Sequence, residues 1–438
     1  MVYVVRSNGT KRRRRLARLC EDVTRPALAA FVKFLILSQV FWPDSTAVSQ
    51  QLTDLAEDLV QRGHEVSVVS SSRQYEQPAN RFPAKETYKG IHIQRIWHTG
   101  FGKQLVVGRV LDFLSFNVSL LRTLLTVRRG AHDVVIGLTA PPLISFVGAL
   151  FARRKAMKFA YWAMDLQPEL SIAAGYLQAG SVMARTLSYL GDTVYRRADR
   201  IVALDRYMAK QIAHRGGDES RTAVIPVWPV MDEVYSGPRL ENPFRREHGL
   251  GDRIVIMYSG NHSVVHPLDT ILRTAWLLRD DPRFLFFFIG GGVRKRDVSD
   301  FKAKHGLDNV RQLPYQPRDK IHVSLGAADL HLVVLGDGCT GYTHPSKIYG
   351  AMFISRPVLY IGPQPSHIAD LLGERPGNLQ VEHGDADSLV GALKAFANLS
   401  EAERAHIGAG NREYVLTRFT RQQLCGQLMD TLESMKSP

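Results

Sequence analysis

Three cysteines in 438 residues, Cys20, Cys339 and Cys425, are odd in number and far apart. They suggest neither a disulfide framework nor a zinc site, and a reducing cytoplasm fits best. No low-complexity tract is present, and the two stretches nearest a membrane span each fail. PALAAFVKFLILSQVFW follows the basic run Arg12 to Arg15 like a signal peptide, but Lys33 splits it and no small-residue cleavage site follows. VVIGLTAPPLISFVGALF, residues 134–151, carries Pro141-Pro142 at its middle and reads better as strand, turn and helix. We expect no transmembrane helix, and read residues 1–32 as a basic arm or an over-extended start. The one D-x-D, Asp385-Ala386-Asp387, precedes a helical pattern and reads as a cap rather than a metal site. The loop after the first strand has no glycine, which removes the G-x-G-x-x-G of a dinucleotide site.

What is there is positive charge, unevenly placed. The net charge is +14, and all of the excess lies in residues 1–230. Much of it sits in three patches, Lys11 to Arg18, Arg122 to Arg129 and Arg153 to Lys158. The last two close apolar stretches, LVVGRVLDFLSFNVSLLRTLLTVRR and PPLISFVGALFARRKAMK. Apolar length beside arginine clusters suits an anionic membrane surface better than nucleic acid, which calls for aromatics among the charges. A solvated basic face beside ordinary core helices is the alternative.

A chain of this length accommodates two domains. In the first half, KFLILSQVF, HEVSVVSS, IHIQRIW, HDVVIGL, MKFAYWAM, DRIVALD and TAVIPV read as strands separated by helical patterns. RIVIMYSG restarts the pattern, followed by FLFFFIGGG, VRQLPY, DLHLVVL, RPVLYIG and NLQVEHG. Strands alternating with helices and without hairpin turns predict parallel sheets. The Pro-rich stretch 226–238 reads as the join. The expected fold is α/β, with two doubly wound, Rossmann-like domains facing across a cleft. Ligands in such sheets sit at the carboxyl ends of strands, so chemistry is sought in strand-to-helix loops.

Five loops qualify. FWPDSTAVSQ ends in Ser45 and Thr46, either N-caps or groups for a substrate hydroxyl. YWAMDLQPEL places Asp165 just past an apolar strand, where a carboxylate can orient or deprotonate an acceptor hydroxyl. Glu169 in the same loop reads as a residue that suits a helix dipole. SGNHSVVHPLD gathers Gly260, Asn261, His262, Ser263 and His266, donors suited to phosphate oxygens. IGGGVRKRD offers three glycines and then Arg294, Lys295 and Arg296. GYTHPSKIYGAM opens a helix with His344, Pro345 and Lys347 and carries no acid, so positive groups must neutralise phosphates unaided.

YSGNHS…LDTIL, FFFIGGG, LPYQP, AADLHLVVL, HPSKIYGAM and RPVLYIGP, in that order, resemble retaining glycosyltransferases of the GT-B fold, family 4. The similarity extends over roughly residues 33–430, on the WbuB/WcaI-like branch of bacterial exopolysaccharide and O-antigen synthesis. It implies transfer of a sugar from a nucleotide sugar, UDP-linked, to an acceptor hydroxyl with retention. The nucleotide sugar is then a substrate, with no cofactor and no metal expected. The resemblance implies residues 33–228 as acceptor domain, 229–415 as nucleotide-sugar domain, and 416–438 as a helix crossing back to the first. Tyr315, Gln316 and Pro317 would flank the base. Gly260, Asn261, His262, Ser263, His266, Gly291, Gly292, Arg294 and Lys347 would hold the diphosphate. Asp165, His344 and Lys347 are the catalytic candidates, and Trp42, Ser45 and Thr46 the acceptor-side ones.

The wider family places two glutamates eight residues apart where this chain has Tyr342 and Gly350. Asn261 and His266 stand where many members have Arg and Lys. The resemblance together with the basic, apolar first half implies a lipid-linked saccharide acceptor and an enzyme held peripherally on the cytoplasmic face of the plasma membrane. Nucleic acid is not expected as a partner. The competing readings are a nucleotide-sugar epimerase or other GT-B enzyme, a basic membrane- or nucleic-acid-binding protein without catalysis, and an inactive scaffold.

Overall fold

The computed structural model describes residues 31–44, 46–102, 106–231 and 233–436, so the arm 1–32 lies almost wholly, and Ser45 entirely, outside the described residues. The first sheet has eight strands: β1 Lys33–Leu37, β2 Glu65–Ser71, β3 Lys85–Tyr88, β4 Ile91–Ile96, β5 Val134–Gly137, β6 Lys158–Trp162, β7 Arg200–Ala203 and β8 Thr222–Val224. The second has six: β9 Ile254–Ser259, β10 Phe284–Ile289, β11 Val310–Leu313, β12 Leu330–Val334, β13 Val358–Ile361 and β14 Leu379–Val381. Their orders are β3-β4-β2-β1-β5-β6-β7-β8 and β11-β10-β9-β12-β13-β14. Both run outward in two directions from a central pair, β1 with β5 and β9 with β12. Those pairs are the switch points where a doubly wound sheet leaves a crevice.

The central strands are apolar on both faces because helices cover both. All six residues of β10, FLFFFI, and all five of β12, LHLVV, are buried. Each such side chain contributes about 1.5–3 kcal/mol by leaving water.

One expectation is corrected at the sheet edge. The chain does contain a hairpin, since β3 pairs antiparallel with β4. Its turn is Lys89-Gly90, with φ of 46° and 83°. Two consecutive left-handed residues are what a tight hairpin turn demands. The lone lysine before glycine concealed it, because Asn or Asp is the usual first residue.

The two sheets share apolar packing. One buried cluster runs from β1 and β6 through Ile225, Val227 and Trp228 to Val333, Ile348, Tyr349 and Tyr360 of the second half. Trp228 also donates its indole N–H to Asp54 at 2.8 Å. The helix Arg421–Glu433 lies against the helix Ala47–Gln61 of the first domain, with Arg421 gripping Asp54 and Asp58 at 2.8 Å each. Arg62 and His64 hold Glu433 at 3.0 Å from the other side.

Candidate active site

The loops following β9 and β10 are woven together. Gly260 N–H donates to Ile289 O at 2.9 Å, His262 N–H to Gly291 O at 2.6 Å, and Arg294 N–H to His262 O at 3.0 Å. Glycine is required for this approach. A Cβ on Gly290 would lie 2.0 Å from the Gly260 carbonyl oxygen, and one on Gly292 2.3 Å from Asn261 Oδ1. Gly291 lies flat against the Tyr315 ring, its missing Cβ 3.0 Å from Cε2. The sequence pattern suggested glycines that admit a ligand; they also admit each other's loops.

Tyr258, the penultimate residue of β9, forms the floor beneath these loops. Its hydroxyl donates to Asn261 O at 2.7 Å, and His262 meets its ring edge-on at 4.9 Å between centroids. The Lys347 ammonium, from the first residue of the helix Lys347–Phe353 that follows β12, sits over the same ring at 3.8 Å. Lys347 is partly exposed, while its Nζ is enclosed and has no hydrogen-bond acceptor among the described residues. His262 Nε2 is likewise enclosed and unpaired. Burial pushes Lys347 down to about 7. Burial, and then the Lys347 charge, hold the imidazoles of His262 and His266 below their usual range. An enclosed cation and a neutral donor with no protein acceptor form a receptor for an anion.

The other sequence-derived phosphate residues ring this floor. Asn261 is exposed at the loop tip and Ser263 half-buried beside it. His266 Nδ1 lies 3.4 Å from the Tyr258 hydroxyl. Arg294 is engaged with Asp297 at 2.7 Å, one turn along the helix Lys295–His305. Tyr315 is half-exposed at the rim, and Gln316 folds back on Pro314 O at 3.0 Å, next to exposed Pro317.

Across the cleft, Asp165 and Thr343 form an isolated antiparallel bridge between the two domains. Thr343 Oγ1 donates to Asp165 Oδ1 at 2.6 Å, and Leu166 N–H to Tyr342 O at 2.8 Å. Burial raises the Asp165 carboxyl; the Thr343 hydrogen bond opposes it. His344 is placed differently from a free donor. Its Nδ1 lies 2.8 Å from Asp205 Oδ2 and its Nε2 3.0 Å from the Tyr349 hydroxyl, which in turn meets His367 Nε2 at 2.8 Å. Both ring nitrogens are occupied, so His344 fastens one domain to the other while Lys347, three residues on, faces the anion site.

On the acceptor side, Thr46 caps the helix Ala47–Gln61 by accepting Ser49 N–H at 3.2 Å. The capping alternative is the one realised. Trp42 stacks on Tyr88 at 3.9 Å, which turns its ring toward the sheet edge. Glu169 begins a short helix and pairs with Arg215. Gly350 faces Met231, whose methyl would lie 3.2 Å from an added Cβ, and Tyr342 packs partly buried on the shared core. Asp385 accepts Ser388 N–H at 3.1 Å as a helix cap. Sequence reasoning missed Tyr258, Thr343, Asp205, Tyr349 and His367. Each carries an unremarkable local signal and gains its part only through pairing across loops.

Two Rossmann-like sheets meeting at their switch points give the chain the GT-B fold. Residues 46–228 match the model of the glycosyl transferase 4-like domain. The chain is 28% identical over 263 residues to WbjE of Pseudomonas aeruginosa, named a glycosyltransferase, covering 59% of this chain and 64% of that protein, a little under two thirds. It is 23% identical over 379 residues to WcaI of Escherichia coli K12, named for colanic acid biosynthesis, covering 83% and 91%. Among solved structures, Anabaena HepE in complex with UDP-glucose superposes with a TM-score of 0.66 at 15% identity, covering 92% of this chain and 100% of that one. WaaG, named for lipopolysaccharide biosynthesis, superposes with 0.68 at 16%, covering 91% and 99%. Through this matched domain and both curated relatives the chain is similar to the family 4 glycosyltransferases, to WcaI at low identity.

Proposed function

We propose that the protein transfers a sugar from a UDP-linked donor, with retention, to a hydroxyl of a lipid-linked or saccharide acceptor during cell-surface polysaccharide synthesis. The observation that carries this reading is the enclosed Lys347 ammonium, without a protein acceptor, on the face of Tyr258. The names of WcaI and WaaG, and the UDP-glucose held by HepE, support the polysaccharide context and the donor class.

In this reading the diphosphate lies over the Tyr258 floor, between the glycine loops and Lys347. Breaking the bond from C1 to the diphosphate oxygen leaves the electron pair on the leaving group. Lys347 and His262 neutralise that charge as it grows; a single preorganised donor of this kind is worth about 3–4 kcal/mol. The acceptor oxygen forms the new bond to C1 on the same face, and its proton passes to the departing phosphate. Asp165, held by Thr343, orients the acceptor hydroxyl. The acceptor side is the first domain, on the inner face of the plasma membrane.

Calorimetry with UDP tests the reading. Lys347→Ala abolishes measurable binding if the diphosphate sits here; affinity equal to the unsubstituted protein overturns the site.

A further inference from the structure

The helix Val106–Thr126 is apolar on its outer face as well as its inner one. Phe116, Leu120 and Leu124 are fully buried against the domain. Val107, Leu111, Leu114, Val118, Leu121 and Leu125 recur every three to four residues along the opposite side and are 44–72% exposed. A soluble surface helix carries polar residues there. This outer stripe has no cover among the described residues, and no described helix is long and apolar enough to cross a membrane.

The stripe is not isolated. The helix Ile144–Arg154 packs against both this helix and the helix Val182–Arg197, so the three form one layer. The third helix adds Val182, Met183 and Tyr189 to the exposed apolar surface, at 82%, 55% and 66%. Arg109 lies over the exposed Tyr176 ring at 5.4 Å, tying the first helix to the loop that leads into the third. At the opposite end of the layer the helices Ile144–Arg154 and Val182–Arg197 finish in exposed Arg153-Arg154 and Arg196-Arg197, and exposed Arg128-Arg129 follows just beyond the end of the helix Val106–Thr126. Arginine at a helix C-terminus is common. Here the pairs share one end of one layer, and Arg153, Arg196 and Arg197 line an open cavity of about 670 Å³ together with Lys158 and Lys436, its acids being Asp133 and Asp199.

We propose that this layer docks on an anionic lipid bilayer, with the helix Val106–Thr126 lying in the interfacial plane and the arginine pairs on the headgroups. Charge decides between occupants. A second copy of this face would bring the arginine pairs against each other, whereas an anionic surface complements them along with the apolar stripe. The orientation serves the cleft. Beside the first turns of the helix stand exposed Trp97 and Phe101, and the Phe101 N–H donates to Asp112 of the helix at 3.1 Å. In taking this surface as the side from which the acceptor reaches the first domain, the proposal rests on the lipid-linked acceptor reading above.

Co-sedimentation of the full chain with vesicles, without nucleotide or acceptor, tests docking alone. Binding is expected to phosphatidylcholine vesicles containing phosphatidylglycerol, to be weak on pure phosphatidylcholine, and to fall with salt. Leu114→Gln/Leu121→Gln/Leu125→Gln lowers partitioning at least about tenfold while leaving UDP affinity unchanged, which reports an intact fold. Arg128→Gln/Arg129→Gln/Arg153→Gln removes most of the salt dependence. Two results overturn the proposal: a folded leucine variant that binds vesicles like the parent, or a dimer seen by light scattering that the leucine substitutions dissociate while neither form binds vesicles. Intact vesicle binding without transfer to a lipid-linked acceptor leaves docking standing and counts against the acceptor reading alone.

Discussion

The ammonium of Lys347 stands 3.8 Å above the centre of the Tyr258 ring and has no hydrogen-bond partner among the described residues. The ring's negative face offsets part of the cost of enclosing a cation, while burial favours the neutral amine. The residue is thereby poised to change charge when an anion arrives.

That poise makes UDP binding a proton-linked event. With the free enzyme's Lys347 titrating at about 7, at about pH 8 most molecules hold a neutral amine. The bound diphosphate favours the charged form and raises the value, so binding takes up a proton. Affinity falls as pH climbs above 7, by at most about tenfold per unit, until the bound-state value is reached. Calorimetry at about pH 8 in buffers of different ionisation enthalpy should report uptake approaching one proton per UDP; no uptake would refute this assignment.

Gly292→Ala should separate loop geometry from general stability. The residue has φ of 122°, and its added methyl meets Asn261 Oδ1, His262 O and His262 N within 2.8 Å. Strain of this kind costs on the order of 1–3 kcal/mol and here falls on the weave of the two loops. UDP affinity is expected to drop about tenfold or more. Gly410→Ala, in open space on the helix Glu401–Arg418, should leave affinity alone and raise stability by up to about 1 kcal/mol.

Thr343→Val probes the carboxylate. Burial raises Asp165, and the Thr343 hydroxyl pulls it back down. Removing that hydroxyl lets the value rise further. If transfer requires the ionised carboxylate, activity is lost as pH falls, and the acid limb of the pH–rate profile moves to higher pH. An unmoved limb with reduced rate would mean that Thr343 serves only the bridge between domains.

Tyr349→Phe deletes the hydroxyl shared by His344 and His367. Both Nε2 atoms then lose their partner inside a buried contact, which costs about 1–3 kcal/mol. Urea unfolding reads this as a lower midpoint. UDP affinity should change far less than in Lys347→Ala, because the tyrosine touches the fastening and not the anion site.

The sheets were legible because buried parallel strands write themselves as apolar runs; FLFFFI and LHLVV admit no other placement. Glycine loops and a lysine at a helix start marked the phosphate side for the same local reason. The β3–β4 hairpin was hidden by its lysine, and the strand KETY has too few apolar residues to stand out. The roles of His344 and Tyr258 were not legible at all. Nothing in HPSK tells that its imidazole turns toward Asp205 while its ammonium turns toward β9; that division is set by the other domain's surface. Thr46 shows the limit from the opposite side, since a hydroxyl before a helix is first a cap.

The contacts linking the two domains are not spread evenly along the cleft. Asp165 with Thr343, Leu166 with Tyr342, Asp205 with His344, and Arg206 with Asp370 at 2.8 Å all gather at its floor. At its mouth, burial and then the charge of Glu76 from the first domain raise the Tyr315 hydroxyl of the second. The halves are bound like the covers of a book, and Lys347 is set in the spine. Opening about those contacts would part the mouth between the domains and leave Tyr258, the glycine loops and Lys347, all of the second domain, in place relative to one another.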